Sequence, residues 1–135
     1  MYSNILLPVV FDEEHKPNSA FEVAKSIIAE GGKITLLHVL EELPNYAASY
    51  VAMDFMTQRK KDVQARLQTW ADELGDASTA IVNGHSARTI LDWAEDNKVD
   101  CIVVSSHKPG IPDYFLGGTA ARVVRHAKCA VHVVR

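Results

Sequence analysis

The chain is short of cysteine, aromatics and positive charge, and it has no long apolar run. Each shortage removes a class of protein. Two cysteines in 135 residues, Cys101 and Cys129, lack the C-x-x-C spacing of a zinc or redox site. Both sit in apolar runs (Asp100-Cys101-Ile102-Val103 and Cys129-Ala130-Val131) and read as small buried hydrophobes. Fourteen Lys and Arg against seventeen Asp and Glu leave a formal charge of −3. Binding to bulk DNA or RNA, which needs a basic face, has no support. The uncharged apolar runs fall far short of the ~20 residues of a membrane-spanning helix. Met1-Tyr2-Ser3-Asn4 supplies no basic stretch ahead of an apolar segment, so no secretory leader is expected, and the cytoplasm is the expected compartment. No histidine, cysteine or carboxylate cluster has the spacing of metal ligands.

What is present is a balanced globular composition, 47% hydrophobic and 23% charged, in a length that suits one domain over residues 1–135. Asn4-Ile5-Leu6-Leu7-Pro8-Val9-Val10 is a continuous apolar run too short for a helix. It fits a parallel strand covered on both faces, leaving the ladder at about Pro8, which has no N–H. After a polar loop (Asp12-Glu13-Glu14-His15-Lys16), Ala20, Ala24, Ile27 and Ile28 recur at helical spacing, with Gly31-Gly32 as the expected stop. Lys33-Ile34-Thr35-Leu36-Leu37-His38-Val39-Leu40 is a second buried strand. Met56, Val63, Leu67, Trp70 and Leu74 define one face of a helix over residues 53–74, whose other face carries Arg59, Lys60 and Lys61. Residues 78–84 read as a weaker strand. Ser86 is the expected N-cap of the helix bearing Ala87, Ile90, Leu91 and Ala94. Residues 99–104 form the fourth strand, Ala120, Val123, Val124 and Ala127 the last helix, and residues 130–134 the last strand. Strands alternating with helices predict a doubly wound α/β domain around a parallel sheet. Such sheets bind ligands at the carboxyl ends of their strands, where the strand order reverses. The segments after Val9, Val39 and Val104 are therefore the places to look.

The richest of these is Ser105-Ser106-His107-Lys108-Pro109-Gly110-Ile111-Pro112-Asp113-Tyr114-Phe115-Leu116-Gly117-Gly118-Thr119-Ala120. It runs from a buried strand to a helix start, where unpaired N–H groups and the helix dipole favour an anion. Gly117 and Gly118 would allow close backbone approach, Thr119 offers a hydroxyl, and Lys108 a mobile charge. The plainer alternative is an ordinary loop with a glycine turn. Neither G-x-x-x-x-G-K-[ST] nor G-x-G-x-x-G occurs. Ser106-His107 lacks the G-x-S-x-G context of a hydrolase nucleophile. His38 reads as a hydrogen-bonded core histidine, His85 as a loop residue, and His126 as a helix-end residue. Trp70 and Trp93 read as packing groups, and Arg59-Lys60-Lys61 as a solvated face.

From end to end the chain resembles the universal stress protein family. Ile5-Leu6-Leu7-Pro8-Val9-Val10 is similar to that family's I-L-V-P-V-D except at the last position. Leu36-Leu37-His38-Val39 is similar to its L-L-H-V. Asp100-Cys101-Ile102-Val103-Val104-Ser105-Ser106-His107-Lys108 is similar to its D-[LI]-I-V-[MV]-G-[ST]-H-G, and Val131-His132-Val133-Val134 to its closing V-x-V-V. The resemblance implies a five-stranded parallel sheet of the adenine-nucleotide α-hydrolase-like type, and a stress-response regulatory protein that binds ATP, with or without Mg2+. The residues it assigns to the nucleotide are Pro8, Val10, Val39, Ser105, Lys108, Gly118, Thr119 and Ala120. Nucleotide-binding members carry G-x-x-G, nine residues, then G-[ST]. Here Gly118-Thr119 keeps the distal half, while Ser105 and Lys108 stand at the proximal glycines. The family's nucleoside-contacting aspartate is Val10 here, with Asp12 two residues on. Val39 falls at the backbone position of the adenine contact. The resemblance also implies a homodimer paired through the C-terminal strand. Two other readings remain: a nucleotide-independent interaction protein of the same fold, and a weak ATPase for which the sequence names no general base.

Overall fold

Ile5-Leu6-Leu7 is apolar on consecutive residues, so both of its faces need cover, a condition met by the central strand of a parallel sheet with helices on each side. The computed structural model, which describes residues 1–9, 17–41, 50–105 and 117–135, puts it there. The elements are β1 (Tyr2–Pro8), α1 (Asn18–Ile27), β2 (Ile28–Leu40), α2 (Tyr50–Glu73), β3 (Ser78–Asn83), α3 (Ser86–Asp96), β4 (Cys101–Ser105), α4 (Gly118–His126) and β5 (Ala130–Val134). The five strands lie in the order β3-β2-β1-β4-β5 and every neighbouring pair is parallel. The chain winds outward from β1 in one direction, then returns to its other side at β4. The switch point is therefore the β1/β4 boundary.

Alternation along the strands divides the core into two layers. Ile5, Leu7, Ile34, Leu36, Cys101 and Val103 pack with Ala20, Phe21 and Ala24 of α1 and with Val63, Leu67 and Trp70 of α2. Leu6, Leu37, Ile102 and Val104 pack with Ile90 and Ala94 of α3 and with Ala120 and Val123 of α4. Trp70 meets Phe21 edge-on, with centroids 5.9 Å apart, and Arg66 lies 5.7 Å over its ring. Both are packing contacts, as expected of this tryptophan. Cys101 and Cys129 belong to opposite layers, and burial pushes both thiols up, Cys101 to about 11. A thiol so protonated is a poor nucleophile, consistent with a packing role.

Several boundaries differ from expectation: α2 begins at Tyr50 rather than at residue 53, β4 begins at Cys101 rather than at residue 99, and α1 and α3 depart as follows. Helix α1 ends at Ile27 rather than at Gly31-Gly32, because Ile28 turns extended (φ −75°, ψ 137°) and pairs with Tyr2. Between the Tyr2–Ile28 and Asn4–Lys33 rungs, β2 advances five residues while β1 advances two. The glycines absorb that excess: Gly31 takes φ +76°, and a Cβ on Gly32 would stand 2.9 Å from the Ala29 carbonyl. At α3 the N-cap position is His85, and Ser86 is the first helical residue, with no side-chain cap bond. Gly84, whose N–H donates to Leu40 O at 3.0 Å, makes the turn at φ +148°, so the helix begins one residue earlier than the Ser86 pattern implied.

Candidate functional site

The carboxyl ends of β1, β2 and β4 converge at the switch point, each for a local reason. β1 stops at Pro8, half-buried and paired with Leu37. The next residue, buried Val9, still donates its N–H to Leu37 O at 2.9 Å. β2 runs on through Val39, half-buried, and Leu40, buried. β4 ends with an abrupt change from buried Val104 to exposed Ser105, whose β5 neighbour is Val134.

Helix α4 opens at the same end of the sheet. Gly117 is its N-cap (φ −59°, ψ 153°) and offers no side-chain cap. Gly118 and Thr119 are exposed, while Ala120 is buried as the first anchor of the helix. The first amides of a helix have no carbonyl partner within it, and the first turn of α4 has no acidic residue to compete for them. Gly117 occupies a backbone region open to any residue, so conformational freedom does not explain the glycine. Among the described residues, nothing lies within 4 Å of a Cβ placed on Gly117 or Gly118. The doublet presents bare backbone that side chains would otherwise cover, suited to the close approach of an anion.

His38 completes the β1/β2 end. It is 4% exposed, and its Nδ1 lies 2.9 Å from the Val9 carbonyl oxygen. A carbonyl only accepts, so Nδ1 carries the hydrogen. Burial lowers the pKa of the imidazole, the Val9 bond works against that, and the Arg59 charge adds to the lowering. The ring is thus kept neutral at pH 7.

Of the residues named from sequence, Pro8, Val39 and Ser105 stand at the strand ends, and Gly118, Thr119 and Ala120 form the helix start. Val10 and Lys108 lie outside the described residues, as do Asp12, Glu13-Glu14-His15 and Ser106-His107. Among the described residues, no group of three or more His, Cys, Asp or Glu gathers to hold a metal, and no helix is long and apolar enough to cross a membrane. Arg59, Lys60 and Lys61 are exposed. A cleft of about 120 Å³ opens at the opposite end of the sheet, with Leu91, Val99 and Ile102 in its wall and Lys98, His126 and Lys128 at its rim. Lys128 is already paired with Glu95 at 3.0 Å, and the carboxyl-terminal ends of α3 and α4 meet here, a field that disfavours phosphate.

Sequence reasoning missed a second cluster, below the sheet's amino end. Asp100 accepts from Ser3 N (2.9 Å), Ser3 Oγ (3.0 Å) and Asn4 N (2.9 Å). Burial pushes this carboxyl up, but those bonds together outweigh it and hold the pKa below its usual value. The available signal is an aspartate one residue before a buried strand, at a position that the apolar pattern over residues 99–104 includes in the strand itself.

Comparison with known proteins agrees with this architecture. The family model described as "Universal stress protein family" matches residues 1–135. Universal stress protein G of Salmonella typhimurium is 31% identical over 142 residues, covering 100% of both chains. The solved structure of universal stress protein UspA from Lactobacillus plantarum is similar with a TM-score of 0.81 at 26% identity, over 99% of this chain and 98% of that one. A universal stress protein family protein from Arabidopsis thaliana, solved with AMP bound, has a TM-score of 0.66 at 23% identity, over 98% of this chain and 90% of that one. A match along the whole length, together with the five-stranded parallel sheet, settles the assignment: this chain belongs to the universal stress protein family.

Proposed function

We propose that the protein binds an adenine nucleotide, ATP or ADP, at the carboxyl end of β1, β2 and β4, and acts as a regulatory stress-response protein rather than as an enzyme. The observation that carries this reading is the glycine-opened start of α4. Its N-cap glycine offers no side-chain cap, its first turn holds no acidic residue, and it follows β4 at the switch point. Backbone N–H groups of Gly118, Thr119 and Ala120 suit phosphate oxygens, the Thr119 and Ser105 hydroxyls add donors, and Lys108, between β4 and α4 in sequence, would supply positive charge. The Val39 edge suits the base, with Pro8 and Val10 on the nucleoside side. The AMP-bound Arabidopsis thaliana protein supports adenine as that base. Mg2+ would come with the triphosphate, held by phosphates and waters more than by protein. We place the protein in the cytoplasm and pair two copies through β5, the last strand in the sheet order.

Thermal unfolding with and without nucleotide tests the reading. A ligand bound only by the native state adds ~2.7 kcal/mol at a hundred times its dissociation constant, which moves the melting temperature by several degrees. Millimolar ATP and ADP are expected to produce that shift. An unchanged melting temperature with both nucleotides, with and without magnesium, would leave the partner-only reading in place.

A further inference from the structure

In a parallel ladder, a residue that donates to one carbonyl of its neighbour accepts, at its own carbonyl, from the amide two residues further on. Val9 donates to Leu37 O at 2.9 Å, so the next rung would join Val39 N–H to Val9 O. That rung is missing. Nδ1 of His38 holds the Val9 carbonyl instead, at 2.9 Å, and among the described residues no backbone bond joins Val39 to Val9. We infer that His38 is a positioning residue: by capturing the Val9 carbonyl it keeps the β1–β2 ladder from closing, and so leaves the Val39 amide available to read the base of a bound adenine nucleotide. The inference rests on the nucleotide reading above.

The chemistry is specific to this pairing. The Watson–Crick edge of adenine sets an acceptor (N1) beside a donor (N6), which complements an N–H and a C=O on one strand edge, whereas guanine offers the reverse order. His38 never needs to touch the ligand. A buried ring held neutral, with the tautomer fixed by a carbonyl, occupies the Val9 oxygen that would otherwise compete with the base for the Val39 N–H.

An apolar side chain at position 38 would free the Val9 carbonyl and let the rung close. Asparagine would restore a donor, because its amide nitrogen stands close to where Nδ1 does. The test pairs hydrogen exchange of the ligand-free protein with calorimetry using adenosine, which has no phosphate to engage α4. In His38→Leu, Val39 amide exchange is expected to slow about tenfold and adenosine to bind about three- to tenfold more weakly, the range of one lost backbone bond. In His38→Asn both values are expected to return towards wild type. His38→Met serves as a second apolar variant should His38→Leu not fold. A histidine with only a packing role would instead speed exchange throughout β2 in every variant, and that outcome overturns the inference. So does an apolar variant that binds adenosine as tightly as wild type. If the wild type itself binds neither adenosine nor ATP, the nucleotide reading falls. The exchange measurement then still decides whether His38 holds the ladder open.

Discussion

Asp100 ties the two strands of the switch point together below the sheet. Its carboxylate takes both amides of Ser3 and Asn4 and the Ser3 hydroxyl, and its own N–H donates to Asn4 O at 3.0 Å. Asn4 returns the contact through its Nδ2, to Asn97 O (2.8 Å) and Lys98 O (3.2 Å). Asp100→Ala removes the acceptor of both amides, of which only that of Asn4 is part-buried, and is expected to cost about 1 kcal/mol in urea unfolding. The pH dependence has a definite sign. The folded-state pKa is depressed, so the unfolded chain binds the proton more readily. The stabilisation is therefore complete above the ordinary value of 3.8 and is lost as pH falls through the folded value. The stability difference between wild type and Asp100→Asn should accordingly be largest at neutral pH and shrink in that acid window. A difference constant from pH 7 to pH 2 would show that the carboxylate charge has no part in the clasp. His38 acts with the same sign one window higher: neutral in the fold and charged when unfolded below 6.5, it adds a second loss as pH falls through that value.

Among the elements, α3 ends in a way the sequence did not advertise. Val99 N–H reaches back to Ala94 O at 2.9 Å and Lys98 N–H to Glu95 O at 3.3 Å, the paired bonds of a Schellman cap. The residue at the left-handed position is Lys98, at φ +56°. Most helices put glycine there, because a Cβ in that region costs roughly 1–2 kcal/mol. Lys98→Gly should therefore stabilise the protein by about 0.5–1 kcal/mol once the greater freedom of glycine in the unfolded chain is set against the relieved strain. A lower denaturation midpoint for Lys98→Gly would mean that the lysine side chain contributes more than its backbone conformation costs. The same cap shows where reading the sequence reaches its limit. Strand and helix types were legible wherever apolar spacing was strong, as in Ile5-Leu6-Leu7, in Val63, Leu67 and Trp70, and in Ile90 and Ala94. Ends decided by tertiary pairing were not. Tyr2 draws Ile28 into the sheet ahead of the glycines, and Ser3 and Asn4 draw Asp100 out of the strand register. In the site, the glycine–threonine start of α4 was legible from residue type alone. The His38–Val9 bond was not, because it depends on two strands lying side by side with a particular offset.

For the whole molecule, the sheet order leaves β3 and β5 as edges, and β5 is the apolar one: Val131, Val133 and Val134 are only half-buried there. An exposed apolar edge is a template for another strand, and two-fold pairing of β5 with its own copy would satisfy it with closed symmetry. Sedimentation at tens of micromolar is expected to give a dimer in the wild type and a monomer in Val133→Pro, which removes an amide donor. A monomeric wild type would overturn the pairing, and a dimer that survives the proline would move the interface elsewhere. The strand order also determines how the molecule is assembled during synthesis. The first strand made is the central one, and its second neighbour, paired through Ile5–Cys101 and Leu6–Ile102, lies in the last third of the chain. A ribosome releases β1, β2 and β3 early, as a half-sheet with one flank of β1 open. That flank closes only when residues 100–105 emerge. Until then the nascent half-sheet carries β1 as an apolar edge strand, open on the flank that β4 will take.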